Sequence, residues 1–187
     1  MFESLLKKLS QELNLQSIPY MVIGGQAVLV YGEPRLTKDI DITLGINVDE
    51  LDKLVNLIKT LNLNILVDDY SQFVKDTLVL PTIDEITGIR IDFVFSYSEF
   101  EKQAIKRAKG ISIENTKVNF ASLEDLVIHK IISARPRDIE DIKSVVLKNP
   151  NYDSEYIIKW LREFDLSLGQ GYLKLFEGII DELDNQE

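Results

Sequence analysis

Three carboxylates carry the chemistry this sequence offers. Asp39 and Asp41 stand two apart in Asp39-Ile40-Asp41-Ile42-Thr43-Leu44, an alternating run that reads as a half-buried strand. Side chains two apart on a strand leave the same face, so both acids point one way while Ile40, Ile42 and Leu44 point into a core. Neighbouring carboxylates repel, and a cation relieves the conflict. Magnesium suits that task because it takes oxygen ligands and keeps substrate phosphates in its shell. The alternative is a surface strand with two solvated acids. Ile89-Arg90-Ile91-Asp92-Phe93-Val94-Phe95 repeats the pattern in the same phase, with Asp92 on one face and Ile91, Phe93 and Phe95 on the other. If the two strands neighbour each other, three carboxylates converge, the ligand count that two metal ions need for an in-line phosphoryl displacement. An ion pair between Asp92 and a residue such as Arg90 is the competing reading.

Composition narrows the choice. The 187 residues suit one domain, or one domain with a small helical annex. With no cysteine, disulfide scaffolds, thiolate zinc sites, iron–sulfur clusters and cysteine nucleophiles drop out. A single histidine, His129, excludes a multi-histidine zinc site and weakens a serine–histidine hydrolase. Any metal must therefore rest on carboxylates, which favours Mg2+ or Mn2+. No run reaches the ~20 apolar residues of a membrane span, and the N-terminus lacks a signal-peptide layout, so the expectation is a cytoplasmic protein with no membrane contact. The net charge of −10 opposes a broad nucleic-acid-coating surface. It is uneven, however: residues 102–148 hold ten Lys/Arg and six Asp/Glu, a local +4.

The elements that must position these acids follow from periodicity. Phe2, Leu5, Leu6, Leu9 and Leu13 mark an opening amphipathic helix over 2–14. Ile18 to Ile23 is a short strand ending in Gly24-Gly25, and a helix-like stretch from Gln26 to Tyr31 follows at once. Free N–H groups at such a helix start attract phosphate, and glycine lets the backbone come close. Asn47 with Glu50 predicts a capping box for a helix to about Leu61. Residues 65–67 and 73–80 read as strands, the latter ended by Pro81, and 89–95 as another. From Ser98 onward helices dominate: 99–109, Ser122 to Ser133, 136–147, 154–164 and 169–183, with a short strand or hairpin over 113–120. Strands with helices first, then mostly helices, give an α+β (α/β-like) fold: a small mixed sheet flanked by helices over residues 1–120, then a C-terminal helical subdomain over 121–187.

Ile23-Gly24-Gly25 followed by Asp39-Ile40-Asp41-Ile42 resembles the signature of the nucleotidyltransferase superfamily with the DNA polymerase β-like fold. Gly24-Gly25-Gln26-Ala27 with Arg35-Leu36-Thr37-Lys38, and Ser122 to Lys130 followed by Arg135-Pro136-Arg137-Asp138-Ile139-Glu140-Asp141, look like the AbiEii-type (MenT-like) toxin nucleotidyltransferases. The resemblance spans residues 18–147. It implies that Asp39 and Asp41 bind the magnesium ions holding a nucleoside triphosphate, and that Asp92 binds the second ion and helps deprotonate an attacking hydroxyl. Gly24 and Gly25 would hold the β- and γ-phosphates. Lys130 would reach phosphates or nucleotide, and Arg137 with Asp138 would complete a helical wall, Asp138 fixing Lys130 or Arg137.

The residues themselves leave alternatives. Lys130 sits among Leu126, Val127, Ile131 and Ile132, where an ammonium needs an anion to offset lost hydration. Arg135 and Arg137 flank Pro136 at a helix start, a placement the dipole disfavours, so either a bound anion or Asp138, Glu140 and Asp141 answers them. Thr37 and Lys38 touch phosphate or shape a turn. Arg35 is expected to brace its loop, Trp160 and Phe164 to form core, and Tyr97 and Phe100 to line the acceptor side. Two functions follow. One is metal-dependent transfer of a nucleoside monophosphate to a hydroxyl of RNA (a tRNA end), a protein side chain or a small molecule. The other is a non-catalytic nucleotide-binding or toxin–antitoxin regulatory protein with an antitoxin partner.

Overall fold

The computed structural model describes residues 1–96 and 98–185. The chain divides into two compact units, residues 1–26 with 36–121 and residues 27–35 with 122–187.

The first unit is built on a mixed sheet. Strand β1 (Tyr20–Ile23) is a short apolar run, buried along most of its length, and pairs with β2 (Asp39–Leu44) antiparallel. Parallel to β2 lies β5 (Ile89–Phe95), which also pairs antiparallel with β4 (Val79–Asp84). The short β3 (Asn64–Ile65) closes that side, and the hairpin β6 (Lys109–Ile113) with β7 (Thr116–Phe120) closes the other, in the order β3-β4-β5-β2-β1-β7-β6. Alternation does its expected work: Ile40, Ile42, Leu44, Ile91, Phe93 and Phe95 are all buried on one face, leaving the acids on the other. Helix α1 (Phe2–Leu15) buries Leu5, Leu6, Leu9 and Leu13, packing on β7 and on α3 (Leu51–Leu61). Removing this much apolar surface from water is the main stabilising term.

Several elements differ from the sequence expectation. The stretch 73–80 is not one strand: α4 (Tyr70–Thr77) takes residues 73–77, capped by the Asp69 carboxylate accepting from Gln72 N at 3.1 Å and closed by Leu78 at φ +59°, and only Val79 and Leu80 belong to a strand, β4. Pro81 lies inside β4 rather than ending a strand. Ladder pairing from β3 stops at Thr82, and past it Leu66 N donates to Pro81 O at 3.0 Å, so the missing proline N–H falls where the β3 ladder ends. Asn47 makes no side-chain cap, and a 3-10 turn over Val48–Glu50 leads into α3 instead. Helix α5 (Glu99–Arg107) ends two residues early, because Lys109 already belongs to β6.

In the second unit, α6 (Leu123–Ser133) is buried almost all round and packs against α7 (Pro136–Lys148), α8 (Ser154–Leu168) and α9 (Tyr172–Asp184). Ser122 caps α6, and the buried Asp125 carboxylate accepts from Ser122 Oγ at 2.7 Å and Tyr156 Oη at 2.8 Å. Residues 27–35 carry the end of α2 (Gly24–Tyr31) and the turn after it. Their backbone is tied to α7 and the residue that ends it: Glu33 N donates to Ser144 Oγ at 2.6 Å, Lys148 Nζ to Gly32 O at 3.2 Å and Asn149 Nδ2 to Tyr31 O at 2.8 Å. Burial and the charges of Glu124 and Asp125 push the Tyr31 hydroxyl up to about 12.

Candidate active site

The condition set by the sequence, that β2 and β5 be neighbours, is met in register. Asp41 pairs with Asp92 and Asp39 with Arg90 across the parallel ladder. Because both strands present these residues on one face, three carboxylates and one guanidinium occupy adjacent positions. Arg90 Nε lies 2.8 Å from Asp92 Oδ1, so the ion pair weighed as an alternative is present, and on the same face as the acids. The hydrogen bond to Asp92, with the charges of Asp92, Asp39 and Asp41, holds the Arg90 guanidinium above its ordinary value against partial burial.

Gly24 stands where β1 turns into α2, at φ +63°. A Cβ there would collide with Asp41 Oδ2 and lie 2.9 Å from its Cγ, so the Asp41 carboxylate fills the space a side chain would take. Gly25 is buried in the first turn of α2. Gln26 Nε2 donates to Asp39 O at 3.4 Å, and Thr37 Oγ1 donates to Asp39 Oδ1 at 3.2 Å. Thr37 thus braces the first acid, while Lys38 is exposed.

The donor set suits a hard divalent cation: three carboxylates on adjacent strands, with a glycine cradle that brings the backbone against Asp41. Among the described residues no three His, Asp or Glu side chains already form a closed ligand group. Asp92 is held by Arg90 instead.

In the second unit Lys130 is buried, and its ammonium lies 2.6 Å from Asp138 Oδ1 and 2.7 Å from Asp141 Oδ2. The anions an apolar site demands are therefore this unit's own carboxylates. Arg135 Nε reaches Asp138 Oδ2 at 2.9 Å, and Arg35 Nε reaches Asp141 Oδ1 at 2.7 Å. Burial works to raise the Asp138 carboxyl, but hydrogen bonds and charge from Lys130 and Arg135 outweigh it and hold the group below its ordinary 3.8. Arg35 thus braces its loop through α7. Arg137 is exposed one residue before Asp138 and lines a 540 Å³ hollow with Arg35, Glu33, Glu140 and Ser144.

Asp141 and Arg90 are the two residues to which sequence reasoning gave too little weight. The signal for Asp141 was its spacing, three residues beyond Asp138 on one helix face. For Arg90 it was the two-residue spacing to Asp92. Trp160 and Phe164 pack with ring centroids 6.2 Å apart, and Tyr156 meets Trp160 edge-on at 6.5 Å. Phe100 is buried, and Tyr97 lies outside the described residues.

A family model described as a nucleotidyltransferase of unknown function (DUF6036) matches residues 2–163. No curated protein matches the chain. Among solved structures, the antibiotic-resistance factor ANT(2'')-Ia aligns with TM-score 0.59 and 16% identity over 98% of this chain and 95% of its own. Its complex with adenylyl-2''-tobramycin gives 0.58 and 18% over 90% and 98%. An antigenic nucleotidyltransferase-like protein from Paracoccidioides brasiliensis gives 0.56 and 19% over 92% and 91%. At these identities the likeness is one of fold.

Proposed function

We propose, from the premise that this chain belongs to the DUF6036 family of nucleotidyltransferases, that it transfers a nucleoside monophosphate from a nucleoside triphosphate to a hydroxyl acceptor, with Asp39, Asp41 and Asp92 holding Mg2+ or Mn2+. The observation that carries this reading is the in-register pairing of Asp41 with Asp92 on the face shared with Asp39, beside Gly24.

The acceptor oxygen bonds to the α-phosphorus, the bond from that phosphorus to the β-bridging oxygen breaks, and pyrophosphate leaves. Asp92 takes the proton of the attacking hydroxyl. Gly24 and Gly25 present backbone N–H groups to the β- and γ-phosphates. Asp39 keeps its orientation through Thr37. When bound, the divalent metal neutralises phosphate charge and the charge that develops on the departing oxygen. The protein's part is mostly positioning and charge placement. Lys130, Arg137 and Asp138 are the second unit's candidates for nucleotide contact, Lys130 being held in place by Asp138.

The acceptor is an RNA end, a protein side chain or a small hydroxylated molecule of the kind named in the adenylyl-tobramycin complex. Incubation with each labelled triphosphate, Mg2+ and separated RNA, protein and small-molecule fractions should release pyrophosphate and label one fraction. Triphosphate binding without pyrophosphate from any fraction would overturn the transfer reading and leave the second one, a non-catalytic nucleotide-binding or toxin–antitoxin regulatory protein. The Arg90–Asp92 ion pair is the observation that favours it.

A further inference from the structure

Arg90 is a cation set beside three acids on one face of the sheet. The ladder sets Arg90 beside Asp39 and Asp92 beside Asp41, so the four residues form a square, two from each strand, with one positive and three negative corners. The side chains that flank this square are neutral: Pro81 pairs with Asp92 from β4, Ile83 pairs with Arg90 from the same strand, and Ile23 pairs with Asp41 from β1. Arg90 Nε therefore makes the close charged contact to Asp92, at 2.8 Å.

The two partners differ in freedom. The Asp92 side chain is 18% exposed and that of Arg90 is 53% exposed. A guanidinium that is half in water can swing away at little cost, because solvent replaces the hydrogen bond it gives up. The carboxylate, set deeper between β2 and β4, stays on the face. Asp92 faces along its own strand toward Arg90.

We infer that Arg90 is the resident counter-ion of the three-carboxylate face, and that a divalent cation binds there by displacing the guanidinium from Asp92. This rests on the proposed metal role of Asp39, Asp41 and Asp92. Arg90 stabilises the face when no metal is bound by answering a charge that would otherwise repel its neighbours. The same contact weakens metal binding, since an incoming ion must break an existing ion pair and meet a positive charge. Arg90 is thus a positioning residue that sets how much free divalent cation the site requires.

The test is a Mn2+ titration of the nucleotide-free protein, followed by the electron paramagnetic resonance of free Mn2+, for wild type, Arg90→Gln and Asp41→Asn. Arg90→Gln should bind Mn2+ about fivefold more tightly, the factor expected for loss of an exposed ion pair. In parallel, the Arg90 Nε–H resonance, assigned by its loss in Arg90→Gln, should shift on adding Mg2+ over the range in which Mg2+ competes with Mn2+. If wild type binds Mn2+, Asp41→Asn does not, and Arg90→Gln binds no tighter, Arg90 is a static brace and the inference is overturned while the metal assignment stands. An Arg90 resonance that stays put while metal binds overturns it equally. If neither wild type nor Arg90→Gln binds Mn2+, the metal assignment falls and this inference with it.

Discussion

At the level of single residues, Asp39, Asp41 and Asp92 set three carboxylates on one face of two adjacent strands, where Arg90 pairs with Asp92. Asp39→Asn and Asp41→Asn each remove one charge and one ligand oxygen while preserving shape. Transfer should fall by about 10²-fold or more in each, several kcal/mol of charge stabilisation being at stake. Far-UV circular dichroism should be unchanged; full activity in both variants would refute the metal role. Removal of divalent ions with a chelator should stop pyrophosphate release, and Mg2+ or Mn2+ should restore it. Gly24 is a different kind of residue, required for its φ of +63° and for the room it leaves Asp41. Gly24→Ala should destabilise the chain by about 1–2 kcal/mol in urea unfolding. It should also lose transfer activity, since the methyl group and the Asp41 carboxylate compete for one space.

Between elements, the buried Lys130 ties α6 to α7 through Asp138 and Asp141. Lys130→Met keeps the apolar stem but leaves Asp138 with Arg135 and Asp141 with Arg35 as their remaining cations, and should cost about 1–3 kcal/mol of stability, read as a lower midpoint in denaturant. Asp138 gives this contact its pH dependence. Its folded value lies below the unfolded 3.8, so its contribution is present above that value and is lost as pH falls beneath it. Asp138→Asn should therefore be less stable than wild type at neutral pH, and the gap should narrow as pH falls below 4. The same helices show what periodicity could and could not convey. The 3.6-residue repeats of α1 and α3 and the alternation of β2 and β5 are legible because each element buries one face. Residues 70–80 are not, because α4 buries only Val74 and its helical state rests on the Asp69 cap. The cap was in the sequence; its weight against the β-prone run Phe73 to Leu80 was not.

Across the whole molecule, the charge of −10 conceals how cations are spent. The stretch 102–148 carries a local excess of four positive charges, yet much of it is answered internally. Lys102 pairs with Glu99, Lys143 with Glu182 and Lys148 with Glu33, besides the pairs of Lys130 and Arg135 with Asp138. With a local excess of at most four charges, single-stranded RNA should bind with a log–log salt slope no steeper than about −3, measurable by fluorescence anisotropy. A steeper slope would reveal a basic surface that this charge pattern does not contain. The sequence by itself determined the strand phases, the Gly-Gly turn, the candidate acids and the exclusion of thiolate and multi-histidine chemistry, since these depend on residue type and short-range spacing. Only the tertiary structure decided that β2 and β5 lie side by side in the register that sets Asp41 against Asp92. Only it showed that Arg90 pairs with Asp92, and that Lys130 answers Asp141 as well as Asp138. Those outcomes depend on which strands and helices meet, and pairing of elements forty or more residues apart is fixed by burial of the whole core, which no local window contains.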